Sequence, residues 1–125
     1  MSFDWSQDLN VARELAGTAT TPANQEAKLR AAISRAYYAA FINARNHLRD
    51  KEGILIARTS AAHKYVSDQF ECSSDTVRQS LGKKLLRLRD FRRQVDYVDI
   101  FPGLSGITQT ALRLSQEVIS TLNKL

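Results

Sequence analysis

The sequence has little of what strands, disulfides or membranes require. Its 125 residues hold only two prolines and five glycines, and several strand-and-turn architectures need more of both. A single cysteine, Cys72, leaves no internal disulfide to form and suits a reducing cytoplasm. Nothing beside it marks a reactive thiol, so it reads as a small residue at a helix junction. No apolar run approaches membrane-spanning length. Met1–Asn10 is mostly polar, with two acidic residues and no basic one, so neither a spanning segment nor a leader is expected. Also missing are a Gly-rich phosphate loop, a Cys/His metal spacing and a Ser/His/Asp order. No metal or other cofactor is therefore expected.

What is present fits a single cytoplasmic domain over residues 1–125. Hydrophobic residues are 43% and charged residues 25%, near the globular average. The formal net charge of +5 suits a polyanionic or acidic partner.

Periodicity predicts an all-α chain of about five helices. The first runs from Asp4 or Ser6 to Ala16, with Trp5, Leu9, Ala12 and Leu15–Ala16 on one face. Gly17 and the Thr-rich stretch Thr18–Thr21 stop it, and Thr21 and Pro22 then read as N-cap and first helical residue. The second helix is expected from Pro22 to about Lys51, ended by Gly53. Ala32, Ala36, Ala40 and Ala44 form a smooth i,i+4 ridge along it, permitting close helix approach. Ile33, Tyr37, Ala40, Ala44 and Leu48 make one apolar stripe, while Tyr38 and Ile42 lie near the opposite side. A helix apolar on two sides is central in its bundle or also faces a second subunit, so Tyr38 and Ile42 are candidates for a homodimer contact. A third segment spans Thr59 to about Phe70. Ser73–Ser74–Asp75 caps a fourth running to about Val98, and a fifth from Ser105 closes the core through Ile107, Ala111, Leu114, Val118, Leu122 and Leu125.

The fourth helix carries the functional expectation. Val77, Leu81, Leu85, Leu88 and Val95 fall within about 80° of one another and should face the core. Arg92 falls inside that stripe, with Asp96 one turn on. A guanidinium keeps its proton, so burial demands a partner or an anion. Two readings stay open: an Arg92–Asp96 ion pair fixing helix register, or an arginine at a cleft floor, prepared for a phosphate. Lys84, Arg87, Arg89 and Arg93, with Arg78 and Lys83, make this helix the best candidate for a nucleic-acid footprint.

Two stretches resemble the HEPN superfamily, particularly its small stand-alone prokaryotic branch. Ser34-Arg35-Ala36-Tyr37-Tyr38-Ala39-Ala40-Phe41 looks like the branch's central-helix signature. Leu88-Arg89-Asp90-Phe91-Arg92-Arg93-Gln94-Val95-Asp96-Tyr97 is similar to its late R-x-x-A-D-Y element, with Val95 for the usual alanine, and His63, Val66 and Phe70 match a spacing often found between them. The resemblance implies an up-and-down helical bundle that often dimerises. It also implies toxin–antitoxin or defence systems, RNA or nucleotide ligands, and a small nucleotidyltransferase or antitoxin as protein partner.

Nuclease members of that superfamily carry, in a late helix, an arginine and a histidine with four to six residues between them, and cut RNA without metal. Here no histidine follows Arg89 or Arg92, since the only two are His47 and His63. The Arg58–His63 spacing matches by composition alone, so both histidines read as packed core residues. The first expectation is therefore a binding module for RNA, a nucleotide or a protein, without ribonuclease activity. The alternatives are a metal-independent endoribonuclease of unusual composition, with Arg89, Arg92, Asp96 and Tyr97 as candidate catalytic residues, and a structural subunit of a paired system.

Overall fold

The structure is a computed structural model that describes residues 3–19 and 24–125. Five helices form the expected all-α bundle: α1 (Gln7–Gly17), α2 (Gln25–Glu52), α3 (Ala62–Glu71), α4 (Thr76–Tyr97) and α5 (Leu104–Lys124). Helices make up 77% of the structure, with no strand among the described residues. None of these helices is long and apolar enough to cross a membrane.

α2 is the central element, flanked by α5 and α1 and crossed by α4, while α3 lies mainly on α4. Its four-alanine ridge is the reason. Ala32, Ala36, Ala40 and Ala44 are all fully buried, and the absence of larger side chains lets α5 come close enough for Ser115 Oγ to donate 2.7 Å to the Ala36 carbonyl. That bond satisfies a buried hydroxyl which would otherwise be a burden in the core. Leu114, Val118 and Leu122 of α5 pack beside it, with Leu9 and Ala12 of α1 on the other flank.

Local signals set the ends. Gly53 adopts the left-handed conformation, φ 67°, and lets the chain turn out of α2. The Asp75 carboxylate accepts from the Arg78 backbone N–H at 3.2 Å and caps α4. Gly103, φ 74°, opens α5. The expected cap at Thr21 and Pro22 lies outside the described residues. α3 begins at Ala62, three residues later than the periodicity predicts, because its buried face starts there with Ala62, Val66 and Phe70.

The far end of α4 is tied down by a residue on another helix. Arg30 of α2 donates to the carbonyls of Val95 (2.7 Å), Val98 (2.8 Å) and Asp99 (2.9 Å). The last carbonyls of a helix have no partner within it, and a cation there also matches the negative end of its dipole. Glu26 holds the same guanidinium in place at 2.9 Å.

One expectation needs correction. Val77 does not join the core stripe: it is 51% exposed. Tyr38 and Ile42 are both partly buried against the chain's own core.

Candidate anion-binding site on α4

The cations of α4 divide into those already paired and those held open. Arg78 makes two hydrogen bonds to Glu52, 2.9 and 3.0 Å, and Glu52 also takes His47 Nε2 at 3.0 Å. His47 is thus a satisfied, half-buried histidine, as its sequence context predicts. Lys84 pairs with Glu117 of α5 at 3.2 Å, which commits it to the helix packing. Arg87 and Arg93 are exposed, with the Arg87 guanidinium 5.7 Å from the Phe91 ring. Tyr97 is 80% exposed and takes no part in the cluster described next.

Arg89 and Arg92, three residues apart on one face, turn toward α2. The Arg92 guanidinium lies 5.4 Å from the Tyr37 ring centroid and 5.6 Å from that of Tyr38, in range for cation–π attraction. Its Nη1 donates to Asp96 Oδ2 at 3.2 Å and to the Tyr38 hydroxyl at 3.4 Å. Ser34 Oγ donates to the other Asp96 oxygen at 3.4 Å. The expected i,i+4 ion pair exists, but it is open on one side: the Arg92 side chain is 17% exposed and that of Asp96 36%. Such a pair contributes far less than a fully buried one.

The Nε atoms of Arg89 and Arg92 are both buried with no hydrogen-bond partner among the described residues. Buried donors in folded proteins are nearly always satisfied, and leaving one unmade is unfavourable by about 1–3 kcal/mol. Two such donors on neighbouring guanidiniums mark a place where an acceptor is wanted.

The structure adds a residue that the sequence sets apart. α3 packs on α4 and brings His63 against Tyr37, Tyr38 and Phe41; its ring stacks on Phe41 at 4.3 Å between centroids. The Tyr37 hydroxyl and His63 Nδ1 are hydrogen-bonded. Burial pushes the Tyr37 hydroxyl above the usual tyrosine range, with Arg89 and Arg92 opposing, so it keeps its proton and donates. Burial, followed by Arg92 and Arg89, holds the His63 imidazole below the usual histidine range. His63 is therefore neutral at pH 7 and within electrostatic reach of both arginines. Along the chain no histidine follows Arg89 or Arg92; helix packing nevertheless bonds His63 to Tyr37, the ring beneath Arg92. The packed character expected of His63 is retained in its stack on Phe41.

A pH dependence follows. Above the ordinary histidine value of about 6.5 neither folded nor unfolded His63 carries a proton. Below it the unfolded chain binds one that the folded chain resists, so stability falls as pH drops through 6.5. The melting temperature should decrease from pH 7 to pH 5, and less so in His63→Gln. Equal slopes for the two proteins would rule His63 out as the cause.

Among the described residues no group of three or more His, Cys, Asp or Glu side chains is arranged to hold a metal. Compared with protein-family models, curated proteins and solved structures, the chain has no match in any of the three.

Proposed function

We propose that the chain is a HEPN-type module that binds single-stranded RNA, gripping a backbone phosphate between Arg89 and Arg92. The observation that carries this reading is the pair of buried, unpartnered Nε donors on two adjacent guanidiniums. A phosphate offers acceptor oxygens in the fork geometry that guanidinium groups match. Further support comes from where the two HEPN-like stretches lie. Tyr37 and Tyr38 of the first meet Arg92 of the second, and Ser34 of the first meets Asp96, across one site. In this role Asp96 holds Arg92 in place by accepting from its Nη1, and the tyrosine rings form the floor. A toxin–antitoxin or defence setting, with a nucleotidyltransferase or antitoxin partner and a homodimer, belongs to the same proposal.

A second reading rests on His63. A neutral imidazole beside two guanidiniums is the pairing that metal-independent RNA cleavage uses: one group carries a proton, the others hold the phosphorane charge.

Fluorescence anisotropy with a labelled eight-nucleotide RNA tests the binding reading. Wild type should bind, with affinity falling steeply as salt rises. Arg92→Met should weaken binding at least about tenfold, as expected when one charge-assisted hydrogen bond of about 1.5–3 kcal/mol is removed, while the melting temperature changes little. No binding at 50 mM salt, or full affinity in both Arg89→Met and Arg92→Met, would overturn the site. RNA cleavage in EDTA that disappears in His63→Ala would favour the second reading over the first.

A further inference from the structure

Below the loop that joins α2 to α3 lies a cleft of about 690 Å³ bordered by Phe41, Arg45, Arg49, Ile56, Arg58 and His63. No carboxylate lines it. We propose that this cleft is a second phosphate subsite, which takes another phosphate of the same RNA strand that Arg89 and Arg92 hold. The inference rests on the RNA-binding reading above and extends it to a track.

Three features carry it. The first is uncompensated charge. Arg45 is half-buried, and its hydrogen bonds go to the neutral Asn46 side chain at 3.2 Å. Arg58 makes no hydrogen bond or ion pair among the described residues. Only Arg49 has an acidic partner, Asp50, at 2.8 Å. Burial first, then Arg49 and Arg58, hold the Arg45 guanidinium below the usual arginine value. Like charges gathered in one concave place repel one another, and an anion there relieves that repulsion.

Continuity is the second feature. His63 borders the cleft and is also hydrogen-bonded to Tyr37, the ring beneath Arg92. Phe41 and His63 are stacked, so they form the wall shared by the two places.

Spacing is the third. Tyr37, Phe41, Arg45 and Arg49 follow one another at i,i+4 intervals, along one face of α2. Tyr37 to Arg45 is eight residues, about 12 Å along the axis. That separation is too long for one phosphate to touch both clusters, and it suits two phosphates about two nucleotides apart on an extended strand. A track with a cation cluster at each end and aromatic rings between them is how single-stranded nucleic acid is commonly held.

The test uses the full chain and the labelled eight-nucleotide RNA between 50 and 200 mM salt. Arg45→Met/Arg58→Ala should bind about tenfold more weakly than wild type. Its log K against log salt should be shallower by about 0.7 for each phosphate no longer neutralised. Arg58→Ala alone, in an exposed loop position, should show part of both effects and guards against misfolding of the double variant. If wild type and both cleft variants bind with the same affinity and slope while Arg92→Met is impaired, the cleft proposal fails and the Arg89–Arg92 site stands. If the cleft variants are impaired while Arg92→Met binds like wild type, the cleft is the RNA site and the proposal of a track is overturned. If wild type does not bind the RNA at all, both fall together.

Discussion

Gly82→Ala should leave the bundle poorly folded, lowering its melting temperature by roughly 10 °C. A methyl group built at Gly82 would sit 2.5 Å from the Glu71 backbone nitrogen and 2.8 Å from its Cα. Those atoms belong to the last turn of α3 and cannot rotate aside as a side-chain tip can. α3 must therefore move off α4. Alanine regains about 1 kcal/mol of helix propensity over glycine, while overpacking of this kind is unfavourable by about 1–3 kcal/mol and occasionally more. Because the obstacle is backbone, we expect the upper end, a net loss of about 2 kcal/mol or more. For a domain of this size each kcal/mol moves the melting temperature by about 4 °C. Urea denaturation with an unchanged m-value provides the measurement. A variant as stable as wild type would show that the α3–α4 packing is not so close.

Tyr37→Ala is expected to lose about 3–5 kcal/mol, the usual range for an aromatic ring deleted from a core. Tyr37 is 1% exposed, with Phe41 and Tyr38 at 5.8 and 5.2 Å between ring centroids. The same ring underlies Arg92, so its removal takes away both core volume and the floor of the site. Tyr37→Phe separates the two roles. It keeps the ring and removes only the hydroxyl bonded to His63, so its stability should drop by about 1 kcal/mol and Arg92 should keep its platform. Equilibrium denaturation of both variants decides between these outcomes. A Tyr37→Ala protein within about 1 kcal/mol of wild type would contradict the buried placement of the ring.

Features confined to one helix were legible in the sequence. The stop at Gly53, the cap at Asp75 and the Arg92–Asp96 pair all depend on residues a few positions apart, and spacing reports them directly. The alanine ridge of α2 signalled close approach of a neighbour, though not that the neighbour is α5. What stayed hidden depends on which helices touch. The commitment of Lys84 to Glu117, and of Arg78 to Glu52, removes two cations from a helix that reads as uniformly basic. Arg30, 65 residues from Val95, gives no local sign that it closes the end of α4. His63 is the most consequential case, since only the packing of α3 in the bundle brings it against Tyr37 and within electrostatic reach of Arg89 and Arg92. Gly82 offered a clue: a lone glycine inside a helical pattern often marks close backbone approach.

The seam between α2 and α5 bears on when the protein can fold. Ser115 and Ala36, joined across it, are 79 residues apart, and no other pair of helices packs as extensively. Helical bundles fold fast when their contacts are local, and here the largest interface has to wait for loop closure over most of the chain. At a synthesis rate of about 5–20 residues per second, the ridge on α2 stays uncovered for roughly 4–16 s before its partner is made. Alanine suits that interval. A row of single methyl groups shows a nascent chain's surroundings far less apolar surface than a row of leucines would, while still letting α5 dock closely once it arrives.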